Sequence, residues 1–310
     1  MPCSIPTADD ERSGLERLCA NLKRYELWHD VDQERVTVVR GDLAVPGLGL
    51  SNPAFEQLAS DIDLICHNGA HVDALSSYEQ LEAANVGGTR ELIRLASTTS
   101  SKHLQFVSTI SAGDVTGPRS GYAETKLDAE ELVHAANRLG VSAAIYRLPR
   151  VVGDTHSGQG NARDIMLRVL RIILELGAAP DTALEEPWIA VNDVASRLVK
   201  LATRQAIEGS RFVLTSEPPV RLTHLVDLLR HAGTYVETQP LADWLTSLEA
   251  YSPEEHAILK VLFDAAPRDS NNILSPQTNE FTSVVVRRPD DVALLRYIDR
   301  MLVRSPQLAT

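Results

Sequence analysis

The chain has 310 residues, 44% of them hydrophobic, and a formal net charge of −12. That length supports one or two domains with a sizeable core, while the acidity argues against nucleic acid or an anionic membrane surface as a partner. No apolar run approaches the roughly 20 residues of a spanning helix, and the start, Met-Pro-Cys-Ser-Ile-Pro, lacks the regions of a signal peptide. Cys3, Cys19 and Cys66 have neither metal-ligand spacing nor an even count for a disulfide framework, so the reading is cytoplasmic.

Residues 1–13 show no periodicity. From Gly14 to Trp28 the apolar stripe Leu15, Leu18, Leu22 and Tyr25 predicts a helix. Arg35 to Arg40 is a β-branched run that reads as a strand ending at Gly41-Asp42-Leu43. Asn52 is expected to cap a short helix with Pro53 at its first position. Asp63 to His67 is an apolar strand, with Cys66 expected in the core, and it closes on Asn68-Gly69-Ala70. Tyr78 to Thr98 predicts one long amphipathic helix, in which Gly87-Gly88 implies close backbone packing.

The strand 104–107, a turn rich in Gly and Pro, a helix from about Gly121 to Arg138 and the strand Ala143 to Arg147 follow. Strand and helix alternating in this way mark a doubly wound parallel sheet, an α/β fold. After Pro149 the character changes. Val151 to Asp164 is loop-like and leads into a helix reaching Gly177, with short strands at 188–191 and 210–214 and a helix from Asn192 to Arg204 between them. Helices are expected over Leu222 to His231, Leu241 to Tyr251, Pro253 to Asp264 and Asp290 to Val303. The chain therefore divides into a dinucleotide-binding region, 1–155, and a smaller, mainly helical, substrate-facing lobe, 156–310, whose two short strands either stay in that lobe or return to the main sheet.

Chemistry concentrates between Ser108 and Lys126. The strand 104–107 delivers Ser108 and Thr109 to its carboxyl end, where parallel sheets bind ligands. Tyr122 and Lys126, four apart, share one helix face. A phenol can give a proton to a carbonyl oxygen as hydride reaches the carbon, an adjacent ammonium is expected to lower the phenol pKa, and a Thr109 hydroxyl can hold the same oxygen. Taken alone, the Tyr/Lys pair reads equally as an incidental feature of a surface helix. Two more strand ends carry signatures: Asp42 either accepts from an adenine amino group or caps a turn, and Gly69-Ala70 either lets a cofactor lie against the backbone or makes a tight turn. His67, His71 and His156 share no ligand spacing, so no metal site is expected.

Together these residues resemble the extended short-chain dehydrogenase/reductase superfamily, and within it the thioester reductase domains of nonribosomal peptide synthases, polyketide synthases and carboxylic acid reductases. The resemblance rests on Gly41-Asp42-Leu43 with Pro46 and Gly49-Leu50-Ser51, His67-Asn68-Gly69-Ala70 with Val72 and Tyr78, and Asn85-Val86-Gly87-Gly88-Thr89. It continues through Ser108-Thr109-Ile110-Ser111, Gly121-Tyr122 to Lys126, Tyr146-Arg147 to Gly153-Asp154, and Ala242-Asp243-Trp244-Leu245. It implies a Rossmann-like fold, a catalytic trio of Thr109, Tyr122 and Lys126, and cofactor contacts from Asp42, Leu43, Asn68, Gly69, Ala70, Tyr122, Lys126, Pro149 and Val151. It further implies NADPH as cofactor, an acyl or peptidyl carrier protein bearing a phosphopantetheine-bound substrate as partner, and reductive release of the acyl thioester as an aldehyde or alcohol.

The sequence departs from that pattern in one respect. The family's opening strand and Thr-Gly-x-x-Gly-x-x-Gly turn do not occur ahead of Gly41. The expectation is either a start further upstream, or a piece of a longer enzyme, with NADPH binding impaired in the chain as it stands, or else a degenerate reductase that docks a carrier protein or releases acyl chains without redox chemistry. The short interval between Thr109 and Tyr122 also implies a reduced substrate-entrance loop.

Overall fold

The computed structural model describes residues 11–30, 33–73, 75–113, 119–202, 209–265 and 281–303. Cys3, the expected turn at 114–118 and the expected helix end at Arg204 lie outside these residues. The described residues fall into two compact units, one drawn from 1–108 and 120–145 and the other from 109–119 and 146–310.

The first unit runs α1 (Glu11–Arg24), α2 (Asn52–Asp61), β1 (Leu64–His67), α3 (Tyr78–Glu82), α4 (Gly88–Ser97), β2 (His103–Thr109) as far as Ser108, α5 (Gly121–Arg138) and the start of β3 (Ala143–Leu148) as far as Ile145. The strands stand in the order β1-β2-β3, with β1 and β2 parallel from Leu64↔His103 to His67↔Phe106. In β2 five consecutive residues are buried, as in a strand covered on both faces. In β1 only Ile65 and His67 are buried, and Cys66, expected in the core, points with Leu64 to the exposed face.

Three local expectations shift. The cap of α2 is Ser51 rather than Asn52; its hydroxyl accepts from the Ala54 amide at 3.4 Å, with Pro53 in the first turn. The run 36–40 forms no strand. Its β-branched residues have the right propensity, but no ladder partner occurs among the described residues, and Val39 is 51% exposed. The helix expected over 78–98 is continuous but contains a π-helical turn at Ala83–Gly87 between α3 and α4. Close packing accounts for Gly88, where a Cβ would lie 2.9 Å from Leu43, but not for Gly87, whose nearest neighbour would be the Glu82 carbonyl at 3.8 Å.

The second unit continues with β4 (Arg150–Val152), α6 (Ile165–Leu176), β5 (Ala178–Asp181), β6 (Glu185–Glu186), β7 (Trp188–Ala190), α7 (Val191–Ala202), β8 (Arg211–Glu217), β9 (Val220–Arg221) and α8 (Leu222–His231). It closes with β10 (Glu237–Pro240), α9 (Leu241–Tyr251), α10 (Pro253–Ala265), β11 (Thr282–Arg287) and α11 (Asp291–Ile298). The expected helices are present, and short parallel pairings, β4 with β7, β5 with β10 and β11 with β8, run among them. Its core gathers Trp188, Trp244, Leu170 and Ile173, with the Trp244 indole N–H donating to the Ala178 carbonyl at 2.8 Å.

The segment expected to be loop-like begins as β4 and is then closed down by one half-buried arginine. Arg150 donates to Asp164 at 2.8 Å and to both oxygens of Glu186, and Asp164 also caps α6 through the Met166 amide. No described helix is long and apolar enough to cross a membrane.

Candidate active site

The helix carrying Tyr122 and Lys126 is seated by backbone contact. Ser120 caps α5 by accepting from the Ala123 amide at 3.2 Å. At Gly121 a Cβ would fall 2.5–2.6 Å from the backbone of Ser76, Ser77 and Tyr78, so only glycine permits this approach. The Tyr78 hydroxyl adds a second anchor, donating to Asp128 at 2.7 Å.

Asn85, which sequence reasoning did not single out as a site residue, joins three segments. Its carboxamide oxygen accepts from the His71 amide at 2.7 Å, and its nitrogen donates to the His71 carbonyl and to the Thr125 hydroxyl, each at 3.0 Å. Thr125 in turn donates to the Tyr122 carbonyl at 2.9 Å. The π-helical turn carries this asparagine inward, and such turns recur at functional sites. A polar residue in a helix interior, beside a glycine pair, was the available signal.

Lys126 is 4% exposed. Its ammonium donates to the Val107 carbonyl at 2.6 Å and lies 4.0 Å from the centre of the Phe106 ring. Burial pushes its pKa down to about 8, against a raising influence from Glu130. Tyr122 behaves differently from expectation. Its phenol pKa is raised by burial, and neither a hydrogen bond nor a neighbouring charge contributes. The ammonium expected to lower it is committed to the Val107 carbonyl and the Phe106 face, so the phenol retains its proton more firmly than an ordinary tyrosine.

Around this pair, His67 packs against Phe106 with ring centroids 5.3 Å apart. Its Nε2 meets the Thr89 hydroxyl at 3.0 Å, and that hydroxyl donates to the Asn85 carbonyl at 2.6 Å. Thr89 thus accepts from His67, which places the proton on Nε2 of a neutral ring, and burial together with Lys126 lowers its pKa to about 3. The Ser108 hydroxyl donates to Glu130 on α5.

Thr109 belongs to the second unit, where its hydroxyl lies 2.9 Å from that of Ser111 and accepts from the Ser111 amide at 3.3 Å. Pro149, buried, and Val151, in β4 opposite Ile189, are in the same unit.

The residues expected against the adenosine and diphosphate are arranged as a packed turn. Asp42 accepts from the Ala44 amide at 2.8 Å and its own amide donates to Leu48, which is the turn-capping alternative. Leu43 covers the glycines: a Cβ on Gly69 would lie 2.8 Å from its Cδ1. Asn68 is exposed and Ala70 half-buried.

A nicotinamide dinucleotide needs a proton-handling group at one end and a glycine-lined helix N-terminus for its diphosphate at the other. The face of α5 fits the first requirement. The backbone of Gly69 does not fit the second, because Leu43 lies over it.

Comparison with known proteins bears on family and fold. The family model described as male sterility protein, an NAD-binding family, matches residues 5–118 and 112–197. The linear gramicidin synthase of Brevibacillus parabrevis is 34% identical over 260 residues, 78% of this chain and 5% of the synthase chain. The isonitrile lipopeptide synthase of Streptomyces coeruleorubidus is 35% identical over 265 residues, 80% of this chain and 18% of that synthase. The chain thus spans a small part of the curated relatives it matches. Among solved structures, the terminal R domain of the myxalamid PKS-NRPS biosynthetic pathway superposes with a TM-score of 0.83 at 32% identity, covering 96% of this chain and 82% of that one. This likeness places the chain in the Rossmann-like, parallel α/β class.

Proposed function

The chain belongs to the NAD-binding family described as male sterility protein, among the reductase domains of nonribosomal peptide and polyketide synthases, and from that premise we propose that it reductively releases a carrier-bound acyl thioester as an aldehyde, with NADPH as reductant. Residues 1–155 would face the cofactor, and 156–310 the acyl chain and its carrier protein, in the cytoplasm. The observation that supports this most is the face of α5 that carries the half-buried Tyr122 and the buried Lys126, in which the lysine is fixed on a main-chain carbonyl of the adjoining strand.

A reduced nicotinamide, when bound, supplies hydride. The remainder of the balance falls to the protein: a thioester taking up hydride and one proton becomes an aldehyde and a thiol. Tyr122 holds that proton at its phenol oxygen, and burial keeps it there until a carbonyl oxygen gains negative charge. Lys126 holds positive charge in a site screened from water, where it favours the developing anion more than it would in bulk solvent. Thr109 is assigned the role of a further hydroxyl donor. The product aldehyde is the expected end point, with further reduction to alcohol as an extension of the same chemistry.

The packing of Leu43 over Gly69 favours a second reading, in which the domain docks a carrier protein or releases acyl chains without redox chemistry. The two are separated by incubating the chain with an acyl-phosphopantetheine thioester on a carrier protein, with and without NADPH. Aldehyde that appears only with NADPH, at an elevated KM for it, supports reductive release. Carrier binding or acid release indifferent to NADPH supports the second reading and overturns the first.

A further inference from the structure

The mechanism above leaves one buried charged residue unused. Glu130 lies one turn beyond Lys126 on the same face of α5 and is only 4% exposed. A carboxylate at that depth requires compensation. One hydrogen-bond donor to it is the hydroxyl of Ser108, itself buried, the residue immediately before Thr109 at the end of β2. Ser108 therefore points away from solvent into the seam between β2 and α5.

We propose, resting on the reductase reading of α5, that Glu130 is a positioning residue that ties the end of β2 to the catalytic helix and keeps Lys126 charged. The groups that act on Lys126 include the Val107 carbonyl and Phe106 ring from β2, His67 from β1, and Glu130 from its own helix, where Tyr122 stands four residues earlier. The His67 ring is neutral and burial holds the Tyr122 phenol protonated, so the countercharge in this set comes from Glu130. Glu130 acts on the ammonium through charge and on the strand end through Ser108, and these two actions separate by substitution. Glu130→Gln keeps an acceptor for Ser108 and removes the charge; Ser108→Ala removes the tie and keeps the charge.

The test is an NMR titration of the lysine side chains in the full chain without cofactor or substrate, with the Lys126 signal identified by its loss in Lys126→Met. The expected midpoint is about 8 in the wild type, about one pH unit lower in Glu130→Gln, and unchanged in Ser108→Ala. An unmoved midpoint in Glu130→Gln overturns the proposal. An equal downward shift in Ser108→Ala overturns it as well, because loosening of the seam would then account for both. Turnover adds a second readout: the alkaline limb of the pH profile moves down in Glu130→Gln while KM stays the same. Since the titration contains neither NADPH nor thioester, a failure of the reductase reading appears in turnover assays alone and is distinguishable from a failure here.

Discussion

Two regions of the first unit, the seam between β2 and α5 and the turn that follows residue 40, treat their polar groups in opposite ways. In the seam every element is tied by a buried polar contact: Lys126 to Val107, Ser108 to Glu130, Asn85 to Thr125 and His71. In the turn, Asp42 satisfies its neighbours' amides and Leu43 packs its side chain over Gly69 and Gly88. Buried polar groups are costly unless paired, and the seam pairs these groups with one another. The turn relies on apolar packing instead.

The comparison is broken most severely by Lys126→Met. Removing the ammonium leaves the Val107 carbonyl without that donor, and we expect reductive turnover to fall by about 10²-fold or more. The same variant relieves His67 of a neighbouring positive charge, so the His67 pKa rises from about 3; histidine ring NMR checks this. Asn85→Ala comes next. It removes three hydrogen bonds at one buried position, and a loss of about 2–3 kcal/mol is expected, read as a lower midpoint in urea.

A smaller effect is expected from acid. The unfolded chain binds a proton at His67 near the ordinary value of 6.5, whereas the folded chain resists it down to about 3. This contribution to stability is therefore complete above pH 6.5 and is lost progressively as pH falls toward 3. His67→Gln should flatten that part of the stability profile; an unchanged profile would remove His67 as its source. The smallest effect sharpens the contrast. Val39→Thr, in the run without a ladder, is expected to stay within about 0.5 kcal/mol, whereas the same change at the buried Val107 costs clearly more.

Much of this was legible in the amino-acid pattern. The alternation of apolar runs located β1, β2, β3 and α5, and the four-residue interval placed Tyr122 and Lys126 on one face. Glycine beside glycine at 87–88 signalled close packing, correctly for Gly88. Other features depend on partners distant in sequence. The Val-Thr-Val-Val run has strand propensity, yet a strand exists only in a ladder. The pKa of Tyr122 depends on what engages Lys126, and no spacing rule reveals that its nitrogen is committed to a carbonyl nineteen residues earlier. Asn85 and Glu130 looked like ordinary helix residues because helical position alone does not say which polar side chains are buried.

The most direct test of the account is aldehyde formation from an acyl-phosphopantetheine thioester at high NADPH, compared between the wild-type chain and Tyr122→Phe. The account predicts aldehyde from the wild type and a rate at least about 10²-fold lower from the variant, with folding unchanged. Equal rates from the two proteins, or no aldehyde from either, would contradict it.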